Sequence, residues 1–106
     1  MEIESMNEFI TVARAQDIPN QGGLAVRLGG QQIAIFRIEE TYFAIENECP
    51  HKGAPLSQGT VAGGSIFCPF HGWEFHLKSG ACVDCPTSPV RTFPVRVIDG
   101  QVQVQL

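Results

Sequence analysis

The 106-residue chain is poor in cations, has no long apolar run and shows almost no helical periodicity, and each shortage closes off a class of protein. Seven Lys plus Arg against eleven Asp plus Glu leave a formal net charge of -4. There is no basic patch to neutralise a phosphate backbone, so no nucleic-acid partner is expected. No stretch approaches the roughly 20 apolar residues that a membrane-spanning helix needs, and no membrane partner is expected either. The first nineteen residues, MEIESMNEFITVARAQDIP, carry acids where a secretory leader would be basic, and they hold no apolar core. The expected compartment is therefore the cytoplasm, where reducing conditions favour metal ligation or chemistry over disulfides for the four cysteines.

What is present is short-range alternation of apolar and polar residues, interrupted by turn residues. Phe9 to Val12 reads as a first strand, followed by the loop AQDIPNQGG. Leu24 to Leu28 and Ile33 to Ile38 flank GGQQ, read as a hairpin connection, and Tyr42 to Ile45 gives a further strand. Near the end, VRTFPVRVIDGQVQVQL is the clearest hairpin, with Asp99 and Gly100 at its turn and alternation at Val102, Val104 and Leu106. Many short strands predict an all-β sandwich or small barrel, and the length predicts one domain over residues 1–106.

Residues 46–90 stand apart. They hold five of the seven prolines, all four cysteines and all three histidines, with six glycines. Such a segment is expected to bury little apolar surface of its own, so something other than a hydrophobic core must hold it. The candidate is the pair CPHKGAPLSQG, from residue 49, and CPFHGWEF, from residue 68. Cys49-x-His51 is followed, after sixteen intervening residues, by Cys68-x2-His71. Thiolate and imidazole bind borderline and soft metals, and two of each supply four ligands. A structural zinc usually pairs like ligands with at least two residues between them. A two-iron cluster with two Cys on one iron and two His on the other suits the mixed pairs better.

The two loops resemble those of Rieske proteins, whose motifs are C-x-H and C-x2-H at about this separation. GGQQIAIFRIEETYFAIENECPHKGAPLSQGTVAGGSIFCPFHGWEF, with FPVRVIDGQVQV near the end, is similar to stand-alone Rieske ferredoxins and to the Rieske-type small subunit of assimilatory NAD(P)H-nitrite reductase. The resemblance implies an antiparallel β fold with a cluster-binding subdomain, about 46–90, inserted between outer strands. It implies one 2Fe-2S cluster, with Cys49 and Cys68 on an inner iron and His51 and His71 on an outer one near solvent. Lys52, Gly53, Gly72 and Trp73 would surround it, the glycines letting backbone N–H groups approach the sulfurs. Pro86, in CPTSPV, would belong to a third loop covering the cluster.

Two absences refine the subclass. Rieske proteins of respiratory complexes carry an extra cysteine in each loop, where this chain has Ala54 and Phe70, so the disulfide between them cannot form. Their Ser and Tyr hydroxyls, two and four residues after the second histidine, are replaced by Trp73 and Phe75. Fewer hydrogen bonds to the sulfurs favour the oxidised cluster and a low potential.

The expected function is one-electron transfer with no substrate site of its own. The chain is read as the small subunit of a nitrite reductase or, alternatively, as a ferredoxin serving a ring-hydroxylating dioxygenase. Its partners would be a flavoprotein reductase, a large reductase subunit or a terminal oxygenase. A zinc-stapled interaction module is the remaining alternative. Cys82 and Cys85 read as packing thiols or a redox-sensitive pair, and His76 as a non-ligand.

Overall fold

The computed structural model describes residues 8–51 and 53–106. Among them there are ten strands, two single-turn 3-10 helices and no α-helix, as the missing helical periodicity predicts. Among the described residues no helix is long and apolar enough to cross a membrane.

The strands form three antiparallel sheets. The central one joins β2 (Gly22–Leu28), β3 (Gln31–Ile38), β4 (Thr41–Glu46) and β8 (Thr92–Phe93). On one side lies a sheet of β1 (Ile10–Arg14), β10 (Gln101–Val104) and β9 (Val95–Ile98). A third sheet joins β5 (Thr60–Ala62), β6 (Ser65–Phe67) and β7 (Glu74–His76).

Both hairpins expected from the sequence turn on two residues with positive φ, the conformation whose twist matches paired strands. Gly29 and Gly30 lie at +59° and +81°, and Asp99 and Gly100 at +52° and +78°. The connection read as GGQQ is thus only Gly29–Gly30, because Gln31 and Gln32 already pair with Leu28 and Arg27. The first strand begins one residue later than expected and bulges between Thr11 and Ala13 against β10. AQDIPNQGG is not all loop either. It holds a 3-10 turn at Ala15–Asp17, its Ile18 is fully buried, and its two glycines open β2.

The run Ile33-Ala34-Ile35-Phe36 is wholly inaccessible to solvent, as expected of a strand covered on both faces. Its alternation feeds two cores. Ile33 and Ile35 join Ile18, Ala44, Phe93, Val102 and Val104 in a core shared with β10. Ala34 and Phe36 join Ile45, Leu56, Ile66, Phe75, Leu77 and Val90 on the other side, together with Cys49, Cys68 and Cys82. Each fully buried Ile or Phe contributes about 1.5–3 kcal/mol through removal from water.

This second core corrects the expectation for residues 46–90. The region has its own sheet and buries Leu56, Ile66, Phe75, Leu77 and Val90 against the central sheet. Its strands β5, β6 and β7 are three residues each, too short for alternation to declare them. Gly59 makes the close packing possible, since a Cβ there would collide with the Phe67 carbonyl.

Candidate metal centre

The loop starting at Cys49, after β4, and the loop from Cys68, between β6 and β7, share one backbone design. In the first, the Cys49 carbonyl accepts the Gly53 amide at 2.7 Å, and the Cys49 amide donates to the Ala54 carbonyl at 2.9 Å. In the second, the Cys68 carbonyl accepts the Gly72 amide at 3.2 Å, and the Cys68 amide donates to the Trp73 carbonyl at 2.8 Å. Both glycines are left-handed, Gly53 at +73° and Gly72 at +69°, which glycine adopts without steric cost. The histidine occupies the third position of one loop and the fourth of the other. His71 is itself left-handed at +69°, a conformation that costs a non-glycine residue free energy.

The cysteines lie below and the histidines above. Cys49 and Cys68 are free thiols, 1% and 3% exposed, and both belong to the core under the loops. Burial pushes the Cys68 thiol up from its ordinary value and neighbouring Cys49 adds to this, while the Phe70 amide, 3.4 Å from Cys68 Sγ, acts the other way. A metal held by this thiol would have to displace a proton that burial keeps in place. His51 is half-buried and His71 exposed, with ring centroids 5.1 Å apart and planes at 82°. Trp73 stacks on His51 at 4.4 Å and 17°, fixing that ring from one face. Trp73 in turn lies 6.5 Å from the fully buried Phe75 ring.

Among the described residues, one buried polar side-chain atom has no hydrogen-bond partner, and it is His51 Nδ1. A buried imidazole nitrogen left unpaired costs free energy unless something coordinates it. Two adjacent buried thiols and two neighbouring imidazoles, one with an orphaned nitrogen, fit a cluster that takes two protein ligands per iron. Among the described residues no three His, Cys, Asp or Glu side chains form a group able to hold a single ion, as a four-ligand zinc would require.

The other residues singled out by sequence have varied placements. Lys52 lies outside the described residues. Gly53 and Gly72 direct their amides to the cysteine carbonyls and so close the loops, whereas the amide at a ligand-loop sulfur is that of Phe70. Pro86 is exposed, next to a half-buried Cys85 that packs on the cysteine-side core. His76 is exposed on β7, its Nδ1 3.2 Å from Ser65 Oγ.

Asn47 was not legible as part of the site. It is 4% exposed, its amide donates to Gln32 O at 3.0 Å, and its carbonyl accepts the Leu56 amide at 2.6 Å. Its side-chain Oδ1 accepts the Ser57 amide at 2.8 Å, so one residue ties both ends of the first loop to the central sheet. Its only sequence signal is a polar residue at the end of an apolar strand, a pattern shared with countless surface turns.

Comparison with known proteins follows the same lines. Residues 8–94 match the Rieske [2Fe-2S] domain. The chain is 43% identical over 84 residues to the anthranilate 1,2-dioxygenase ferredoxin subunit of Burkholderia cepacia, spanning 77% of this chain and 78% of that one. It is similar to a structure described as the NADH-dependent nitrite reductase small subunit of Mycobacterium tuberculosis, with a TM-score of 0.86 and 29% identity over 92% of this chain and 94% of that one. It is also similar to a chain in the complex of reduced oxygenase and oxidized ferredoxin of carbazole 1,9a-dioxygenase, with a TM-score of 0.81, 34% identity and 92% of each chain covered. In other, larger relatives it spans about a fifth of the length. The two-loop donor set, the fold around it and these likenesses agree: the chain belongs to the Rieske 2Fe-2S family.

Proposed function

We propose that this chain carries single electrons between redox proteins, with Cys49 and Cys68 as ligands of an inner iron and His51 and His71 as ligands of an outer one. The observation that carries this reading is the vertical order of the donors, buried thiols beneath a half-buried and an exposed imidazole. A 2Fe-2S cluster supplies one-electron redox chemistry when bound there. The chain's own residues do the rest. The thiols keep one edge dry, the imidazoles present the other edge to a partner, and Trp73 covers His51.

Phe70, 54% exposed beside His71, offers an apolar contact at that edge. No hydroxyl is available at Trp73 or Phe75 to favour the electron-rich state, so the potential falls in the lower half of the Rieske span of roughly -150 to +300 mV. Residues 1–106 act as one cytoplasmic domain with no substrate site of its own.

Of the two partner classes, an aromatic-ring oxygenase is supported by the 43% identity to a dioxygenase ferredoxin subunit. A nitrite reductase is the second reading, favoured by the likeness to the mycobacterial structure. Stopped-flow mixing of the reduced protein with each class of partner separates them. Rapid reoxidation by a ring-hydroxylating oxygenase, and none by a sirohaem reductase subunit, is the expected result, and the opposite pattern would install the second reading.

A further inference from the structure

Electron transfer leaves Cys82 and Cys85 without a role. Both are free thiols; Cys82 is 3% exposed, whereas Cys85 is half-buried and so reachable from solvent. The turn between them is closed by the Cys85 amide, which donates to Cys82 Sγ at 3.3 Å. Because the N–Cα bond adds at most about 1.5 Å, Cys82 Sγ lies within about 4.8 Å of Cys85 Cα, a reach that a Cβ and a second sulfur can bridge.

The surroundings differentiate the two thiols. Cys85 Sγ lies 3.5 Å from Thr87 Oγ1 and 3.6 Å from Ser88 Oγ. These hydroxyls, Thr87 foremost, hold the thiol below its ordinary value. Nucleophilic thiolate character and access thus coincide at Cys85, while Cys82 is placed to resolve. The turn is also anchored to β7. The Val83 amide donates to Glu74 O at 2.9 Å, the Glu74 amide donates to Asp84 Oδ2 at 2.7 Å, and Phe75 bridges Cys82.

We propose that Cys82 and Cys85 form a hydroperoxide-oxidisable dithiol, with Cys85 the attacking thiol and Cys82 the resolving one. Cys85 sulfur attacks a peroxide oxygen, the O–O bond breaks, and the departing hydroxide takes the thiol proton and leaves as water. The resulting sulfenic acid is attacked by Cys82 sulfur, the S–O bond breaks, and a second water leaves with the Cys82 proton. Two thiols are oxidised by two electrons to one disulfide while one hydrogen peroxide is reduced to two waters. A small-molecule dithiol or glutathione reverses the step by exchange.

The test is hydrogen peroxide added anaerobically to the iron-loaded protein while its visible spectrum is recorded, followed by alkylation, digestion and mass spectrometry. The expected result is a peptide containing Cys82 and Cys85 lighter by two hydrogen atoms, restored by dithiothreitol, formed before the visible absorption fades. In Cys82→Ala, dimedone should label Cys85; in Cys85→Ser, it should not label Cys82. The wild-type peptide result stands even if Cys82→Ala does not fold. Bleaching with both thiols still alkylatable would overturn the proposal, as would disulfides to Cys49 or Cys68, or oxidation that stops at Cys85 sulfinic acid.

Discussion

The two cores on opposite faces of the central sheet use the same strand, β3, for different ends. The core shared with β10 contains Ile18, Ile33, Ile35, Ala44, Phe93, Val102 and Val104 and no metal-binding side chain. The core on the other face contains Cys49 and Cys68 among its aliphatic and aromatic residues, so the floor of the proposed metal centre is also the packing interior of residues 46–90. The first can lose volume with an effect on stability alone. The second cannot lose volume without disturbing Cys49 and Cys68.

The largest effect is expected from removing a ligand. Cys68→Ser should give a colourless protein that retains neither iron nor acid-labile sulfide, measured by visible absorption and metal analysis. Its far-UV circular dichroism should keep its β character, because the β10-side core contains no part of the clamp. The two cores are then compared by truncation. Phe75→Ala should cost about 3–5 kcal/mol and Ile35→Ala about 2–5 kcal/mol in denaturant unfolding, since both side chains are fully buried. Only Phe75→Ala should also change the visible spectrum; a comparable change in Ile35→Ala would dissolve the distinction between the cores.

Adding a hydroxyl probes the same boundary more gently. Phe75→Tyr should raise the reduction potential by roughly 40–90 mV if the new O–H reaches a sulfur, the equivalent of one hydrogen bond of about 1–2 kcal/mol for a one-electron couple. The smallest structural effect belongs to the exposed rim. Phe70→Ser should alter stability by no more than about 0.5 kcal/mol and leave the potential unchanged, yet slow electron transfer to the partner in stopped-flow mixing.

Much of this division could be read from the chain. Asp99–Gly100 and Gly29–Gly30 announced their hairpins because two-residue turns need left-handed backbone, and Ile33 to Ile38 read as a strand, whereas the covering of Ile33 to Phe36 on both faces emerged only from the fold. The two Cys-His loops stood out because few side-chain types bind borderline and soft metals. The sheet of Thr60–Ala62, Ser65–Phe67 and Glu74–His76 was not, since three residues give no period and its core partners Phe36 and Ile45 lie far away in sequence. Asn47 and the hydroxyls around Cys85 were hidden for the same reason, because their meaning lies in hydrogen bonds to chosen neighbours and not in residue type.

The central claim, buried thiols beneath a half-buried and an exposed imidazole with no hydroxyl at Trp73 or Phe75, is tested most directly by redox titration of the iron-loaded protein. A one-electron couple in the lower half of the span of roughly -150 to +300 mV is predicted. A couple in its upper half, or no reversible couple at all, would contradict it.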